Sequence, residues 1–417
     1  MGEIMMSVET VDQEPTGLTA LRRRRILEAL PEAMKARDVD LHLVFTRENS
    51  RDPFAEEVGL GSVVARACGI FHLDPSGQFH RTAIAASYDT TPIEETGFYE
   101  TVFPYKEQGI KPFLMKTIVG AGARRIAINA SRDLTIADGL TSGMRDYLEA
   151  VLGPDISSRF VSSEGIVLAM LGRKFPEEVA LIEQAAVATQ EILSEVLSAS
   201  TVCAGVTTEK DIGASLEKKT KERGMEVAFT TVVVGPCRGH CSPSDRIIQA
   251  GDLIRIDFGV VHKGYCSDIQ RTAYVLRGGE TDPPAEIRKM FDVTVAAHEA
   301  ALAALKPGAT GLAVDSAARR VIEAAGYKGY PHAAGHGLGR KVHDVGPLLG
   351  PDWPERYGSL VRTPIEPGQV FALEPMVYTT LESQGGEVQI GLEEDLVVEP
   401  EGARVFGKPQ QELILIS

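Results

Sequence analysis

The stretch Ile254-Arg-Ile-Asp257-Phe-Gly-Val-Val-His262-Lys263-Gly264-Tyr-Cys-Ser-Asp268-Ile-Gln-Arg-Thr-Ala-Tyr-Val275 decides the architecture. Two runs rich in β-branched and aromatic residues flank His262-Lys263-Gly264, which is a hairpin pattern. Asp257 and Asp268 stand nearly equally far from that turn, so a tight hairpin sets them close together on one face. Opposed side chains have Cβ atoms roughly 4.5–5.5 Å apart, and like charges placed that way destabilise a sheet. A cation between them would relieve the repulsion, so the hairpin reads as half of a metal site. A shared helical face is excluded by Gly259, Gly264 and the Ile, Val and Phe content. Exposed strand carboxylates paired with basic residues fit this stretch as well, and the rest of the chain has to decide.

With 417 residues the chain has room for two or three domains, and 43% hydrophobic content fits a globular protein. A net charge of −15 argues against a nucleic-acid partner. It also means that a carboxylate-built site needs local compensation. No apolar run reaches membrane-span length, and Met1 to Thr16 lacks the basic and apolar regions of a secretory signal. Five cysteines, odd in number and sparse, fit a reducing cytoplasm. Cys237 and Cys241 flank His240, but no second Cys pair completes a zinc knuckle.

Taken in order, Leu18 to Arg37 has a helical pattern containing Arg22 to Arg25, read as the solvated face of a helix. Strand patterns follow at Asp40 to Phe45, Gly69 to Leu73, His80 to Ser87 and Arg125 to Asn129. They alternate with helical stretches such as Gly139 to Leu152, which predicts an α/β domain over residues 17–172. No phosphate-binding glycine fingerprint occurs there. Pro176 opens a long amphipathic helix, Glu177 to Leu197. Residues 173–417 then read as an α+β domain, with helices at Glu209 to Arg223, Pro284 to Ala304 and Leu312 to Ala325. Its strands are expected at Val227 to Val234, in the hairpin, and at Gln369 to Glu374, Glu387 to Gly391 and Asp395 to Val398.

Three further segments carry chemistry. Pro331-His332-Ala-Ala-Gly-His336-Gly-Leu-Gly-Arg-Lys-Val-His343-Asp344 places three of the chain's nine histidines within twelve residues. Gly335, Gly337 and Gly339 would each cost about 1 kcal/mol inside a helix, so a strand-like loop with close backbone approach is expected. Glu374 closes an alternating strand, and Glu393-Glu394-Asp395 lies in another. Two aspartates, a histidine and these glutamates are an oxygen-rich ligand set with one imidazole, suited to Mn, Co, Zn or Fe in a two-metal site.

The order Asp257, Asp268, His336, Glu374, Glu394 resembles the five-ligand set of the metallopeptidase family containing methionine aminopeptidase, aminopeptidase P and prolidase. The resemblance covers residues of about 174 to 417. It implies a pita-bread catalytic domain preceded by a smaller creatinase-type α/β domain. It also implies two divalent metal ions per chain, Mn before Co, Zn or Fe. Asp257 would bind one metal, His336 and Glu374 the other, with Asp268 and Glu394 bridging. Glu394 is preferred to Glu393 because Asp395 and an apolar run follow it, and adjacent strand residues face opposite ways. His240, seventeen residues before Asp257, and His332 and His343 match the histidines of the Xaa-Pro branch. The implied reaction is hydrolysis of the Xaa-Pro bond in dipeptides or at peptide N-termini, by hydroxide held between the metals. Glu374 would move the proton and His240 or His343 would steady the oxyanion. His332 would contact the prolyl side. A homodimer is implied as well.

The chain departs from the family in two places. The arginine usual two residues before the last glutamate is replaced by Leu392 on this alignment, with Arg271 or Gln389 as possible substitutes. Residues Thr46 to Leu60 differ from the pattern usual early in the N-terminal domain. Two other readings stand beside the peptidase. One is a metal-dependent lyase or carbon–nitrogen hydrolase acting on a small acid. The other is a binding module without catalysis, which the intact ligand set disfavours.

Overall fold

The structure, a computed structural model, describes residues 17–49, 52–61, 63–239 and 241–417. The chain divides into two compact units after Met170.

The first unit is built on a six-stranded mixed sheet. Its strands are β1 (Leu41–Thr46), β2 (Ala67–Leu73), β3 (Phe79–Ala86), β4 (Thr101–Tyr105), β5 (Ile126–Ile128) and β6 (Phe160–Ser162). Their order is β4-β3-β2-β1-β5-β6. Leu41, Leu43 and Phe45 alternate onto one face, where they meet Leu114, Ile118 and Leu148 of the covering helices. The first helix runs through a π-helical segment, Arg25–Ala29. Its arginines do not all face solvent as the charge pattern suggests. Arg24 pairs with the exposed Glu28 and Arg22 with Glu57, whereas Arg25 is buried and donates to the Met170 carbonyl.

Under this sheet His42 Nε2 lies 2.9 Å from Asn129 Oδ1, and the Asn129 amide donates to Asp52 at 2.9 Å. Burial pushes the Asp52 carboxyl from 3.8 to about 7. The folded state therefore holds that proton, and stability from this group is lost as pH rises through the 4–7 window. Burial of His42 acts oppositely: its imidazole is pushed down to about 4, so its contribution is lost as pH falls below 6.5. Asp52→Asn should remove the first trend alone. Relative to the wild type it should gain stability steadily from pH 4 to 7, by about 4 kcal/mol at most, in urea titrations across that range.

The second unit holds two five-stranded sheets and a two-stranded one. The first contains β7 (Glu226–Val234), β8 (Leu253–His262), β9 (Tyr265–Cys266), β10 (Ile269–Val275) and the C-terminal strand Ile414–Ile416. The second runs in the order β12-β11-β13-β16 with Gly402–Val405 at its edge. Here β11 is Gly335–Gly337, β12 Asp344–Leu349, β13 Val370–Leu373 and β16 Glu394–Glu399. The remaining pair is β14 (Met376–Leu381) and β15 (Gly386–Gly391). Among the described residues, one isolated β-bridge, Gln270 to Glu393, links the two large sheets.

Helix Pro176–Val196 covers the first sheet, burying Ile182, Ala185, Ile192 and Leu193 against Ile256 and Phe258. Helices Ala285–Ala304 and Gly311–Ala324 pack with the second sheet and the two-stranded one through Phe291, Ala297 and Val314. Each fully buried Ile, Leu, Val or Phe among these contributes ~1.5–3 kcal/mol of transfer free energy.

The hairpin forms as the sequence predicts, with a tighter turn. His262 pairs with Tyr265, leaving Lys263 and Gly264 as the two loop residues, both at positive φ (48° and 83°). That is the primed turn whose twist suits a two-residue hairpin. The register sets Asp257 opposite Gln270, not opposite Asp268. Because side chains alternate, the two aspartates still share a face, offset along a diagonal. Gly259 permits this: a Cβ there would stand 2.2 Å from the Ser267 carbonyl oxygen.

Candidate metal centre

Asp257 comes from the middle of β8, and Asp268 from the short link between β9 and β10. His336 is the central residue of β11, and Glu374 follows β13. The glycine-rich segment is a strand because its neighbours come too close for side chains. A Cβ at Gly335 would lie 2.2 Å from the Ala372 carbonyl oxygen.

Ligand atoms of Asp268, His336 and Glu393 lie within 4.8 Å of one another, and all three residues are buried. His336 Nε2 stands 3.4 Å from Asp268 and 3.9 Å from Glu374. The second Glu374 oxygen is 3.9 Å from His332 Nδ1. The His343 ring meets His336 edge-on at 4.2 Å. Five sequence-predicted residues, Asp268, His336, Glu374, His332 and His343, are therefore brought together by direct contact. Asp257 joins them through its field, which acts on Asp268, Glu374 and Glu393. His240 lies outside the described residues.

Glu394 is a correction. Its carboxylate is held on the opposite face by Arg271 at 2.9 and 3.0 Å, the Gln190 amide at 3.2 Å and the Gln410 N–H at 2.8 Å. Its neighbour Glu393 points to the site. The reason is the bridge that pairs Glu393 with Gln270, since Gln270 also pairs with Asp257. Residues directly across from one another share a face, so the bridge sets the phase of the Glu-Glu-Asp run.

This shifts the arginine question by one residue. The place two before the inward glutamate is Gly391, not Leu392. Arg271 serves Glu394 and does not reach the site's face. The guanidinium beside the ligands is Arg255, a residue the sequence reading passed over. It is buried and lies 3.6 Å from Asp257. Gln389, with its amide oxygen toward Arg255, accepts from Nε at 2.6 Å and donates to the Tyr378 hydroxyl. Gly239 accepts from Arg255 at 3.2 Å. The signal was available: Arg255 and Asp257 are i and i+2 on one strand, hence on one face.

The site is electrostatically incomplete on its own. Burial pushes Asp268 and Glu393 well above the ordinary carboxylate range, and neighbouring carboxylates push them further. Glu374 is raised too, chiefly by burial, against the opposing pull of His336. Asp268 Oδ1, fully buried, has no hydrogen-bond partner. Carboxylates clustered out of water must either hold protons or share a cation. Four carboxylates and one imidazole match the donor preference of Mn, Fe, Co or Zn. The residues present therefore fit divalent metal ions.

The fold is the pita-bread fold, and the buried carboxylate–imidazole cluster is its candidate metal centre. The sequence profile of metallopeptidase family M24 matches residues 180–400, more than half of the chain, and the chain belongs to that family. An uncharacterised peptidase of Bacillus subtilis is 32% identical over 250 residues, 58% of this chain and 64% of that protein. An Xaa-Pro dipeptidase of Pyrococcus furiosus is 31% identical over 247 residues, with the same two coverages of 58% and 64%. The chain thus spans 64% of the length of these relatives. Among solved structures, an X-Pro aminopeptidase from Thermotoga maritima superposes with a TM-score of 0.68 at 26% identity. That alignment covers 92% of this chain and 99% of that one. No helix among the described residues is long and apolar enough to cross a membrane.

Proposed function

We propose that this protein is a two-metal Xaa-Pro peptidase, releasing the residue before proline from dipeptides or short peptides. The observation that carries the reading is the convergence of Asp268, His336 and Glu393 on one buried point, with Glu374 in reach of both His336 and His332. Asp257 would hold one metal, His336 and Glu374 the other, and Asp268 with Glu393 would lie between them. When bound, such ions acidify a water and polarise the scissile carbonyl.

The side chains supply the rest. Glu374, in reach of both His336 and His332, would take the proton from the attacking water and pass it to the leaving group. His343, resting on His336, would donate to the oxyanion as it develops, and His332, beside Glu374, would contact the prolyl side. Tyr378, edge-on to His332 with ring centroids 6.3 Å apart, would give the proline ring an apolar wall. A tertiary Xaa-Pro amide has no N–H to satisfy, so such a wall leaves no buried donor unpaired. Five free cysteines support a reducing cytoplasmic setting for this activity.

The test is release of the first residue from Xaa-Pro dipeptides and tripeptides, before and after chelation and with Mn²⁺ restored. Chelation should remove at least 100-fold of the rate and Mn²⁺ should return it. Equal rates with and without chelator would refute the reading. Two bound metals with no cleavage would point instead to chemistry on a small acid.

A further inference from the structure

We propose that Gln270 is a positioning residue of the metal centre, its carboxamide holding the carboxylates on either side of it when metal is bound. The inference rests on the two-metal reading above. Thr231, Asp257, Gln270 and Glu393 form one row across four neighbouring strand segments. Residues in such a row share a face and stand within side-chain reach of one another. Gln270 is therefore flanked by one ligand residue on each side, and Asp268, two residues earlier on the same chain, faces the same way.

Two observations set this glutamine apart from a packing residue. Its side chain is fully buried, yet neither amide atom has a hydrogen-bond partner. Such groups are rare in folded proteins, because a carboxamide stripped of water without compensation is costly, and an ion or ordered water commonly explains them. The second observation is the space it occupies. Gly391 stands two residues before Glu393 and so faces the same side. A Cβ there would lie 2.1 Å from Gln270 Oε1 and 3.0 Å from its Cδ. Only glycine leaves room for the amide to lie in the row.

The flanking groups are carboxylates, which accept hydrogen bonds and cannot donate when ionised. The NH₂ of Gln270 is a donor the row can offer them. In metal sites the ligating carboxylates are themselves hydrogen-bonded, and losing such a partner typically weakens metal binding ~10–100-fold.

The experiment uses the full chain, stripped by chelation, with Mn²⁺ binding followed by calorimetry and metal-free melting measured in parallel. Gln270→Met keeps the length and removes the polar atoms. It should weaken Mn²⁺ binding about tenfold or more while the metal-free Tm stays level or rises. Gly391→Ala, which displaces the amide, should weaken Mn²⁺ binding in the same direction. Gln270→Glu adds a like charge and should not restore affinity. Unchanged Mn²⁺ affinity in Gln270→Met, or a fall in its metal-free Tm, would overturn the proposal. So would equal or tighter binding in Gln270→Glu, which would make the residue an oxygen ligand. No peptide enters the measurement. A wild-type chain that binds two Mn²⁺ and cleaves no Xaa-Pro bond would overturn the peptidase reading and leave this one standing. A wild-type chain that binds no Mn²⁺ would overturn both.

Discussion

Glu393→Gln is expected to abolish binding of the metal it shares with Asp268 and His336, and the peptidase rate with it, while Glu394→Gln should leave metal binding close to wild type. The loss at Glu393 should exceed the ~10–100-fold typical of removing a mere outer partner, because here a charged ligand goes. The same substitution should raise the melting temperature of the metal-free protein. Glu393 is buried among Asp268, Glu374, Asp257 and Asp395, all of which push its carboxyl toward the neutral form, so one fewer carboxylate relieves the apo fold. Burial raises the Glu394 carboxyl as well, but here Arg271 and hydrogen bonds pull against it. It takes two contacts from Arg271, one from Gln190 and one from the Gln410 backbone. Glu394→Gln leaves the buried Arg271 without its counter-charge, at a cost of about 3–5 kcal/mol. Mn²⁺ titration and melting of the two variants decide the matter. A Glu394→Gln protein that loses metal while Glu393→Gln keeps it would reverse the assignment.

The second large effect is expected at Lys174. Its ammonium lies 3.1 Å from Asp344, with side-chain exposures of only 3% and 10%, and it also donates to the Leu171 carbonyl at 2.8 Å. Burial alone would push the Asp344 carboxyl up. Lys174 and the backbone N–H groups of Val345 and Arg340 outweigh that and hold it below its ordinary value. Lys174→Met strands this carboxylate, which should cost ~3–5 kcal/mol. For a domain of this size that corresponds to a fall in Tm of roughly 10 °C. The effect should also reach the site. Asp344 directly follows His343, whose ring rests on His336, so kcat should fall even below the melting range. Adding Asp344→Asn to Lys174→Met should recover part of the lost stability, since no charge is then stranded. A single variant that melts like the wild type would show that the pair contributes nothing.

Most of the ligand set was readable from residue types and order. Asp257, Asp268, His336 and Glu374 each sit in a segment whose local pattern fixes its conformation: a β-branched hairpin, a glycine-rich strand, an alternating apolar run. The helices from Pro176 onward were readable for a similar reason, since a buried apolar stripe repeats at the helical period. Arg25 was misplaced because a run of four arginines looks solvated by composition, while its burial depends on the distant Met170 carbonyl. Arg255 was overlooked although it stands two residues before Asp257 on the same strand and so shares its face.

The opening stretch shows where the division falls. By itself the sequence determined that Ile254 to Val275 is a hairpin turning about His262-Lys263-Gly264, with two aspartates on one face. These follow from β propensity, from the positive φ a primed turn demands and from strict alternation, all of which act within a few residues. Only the tertiary structure decided that a two-residue loop sets Asp257 opposite Gln270, and that Glu393 and not Glu394 turns inward. The second of these depends on register between strands far apart in sequence. A one-residue slip there reverses every side chain, and no local preference distinguishes the two phases of Glu-Glu-Asp. The bridge from Gln270 to Glu393 does.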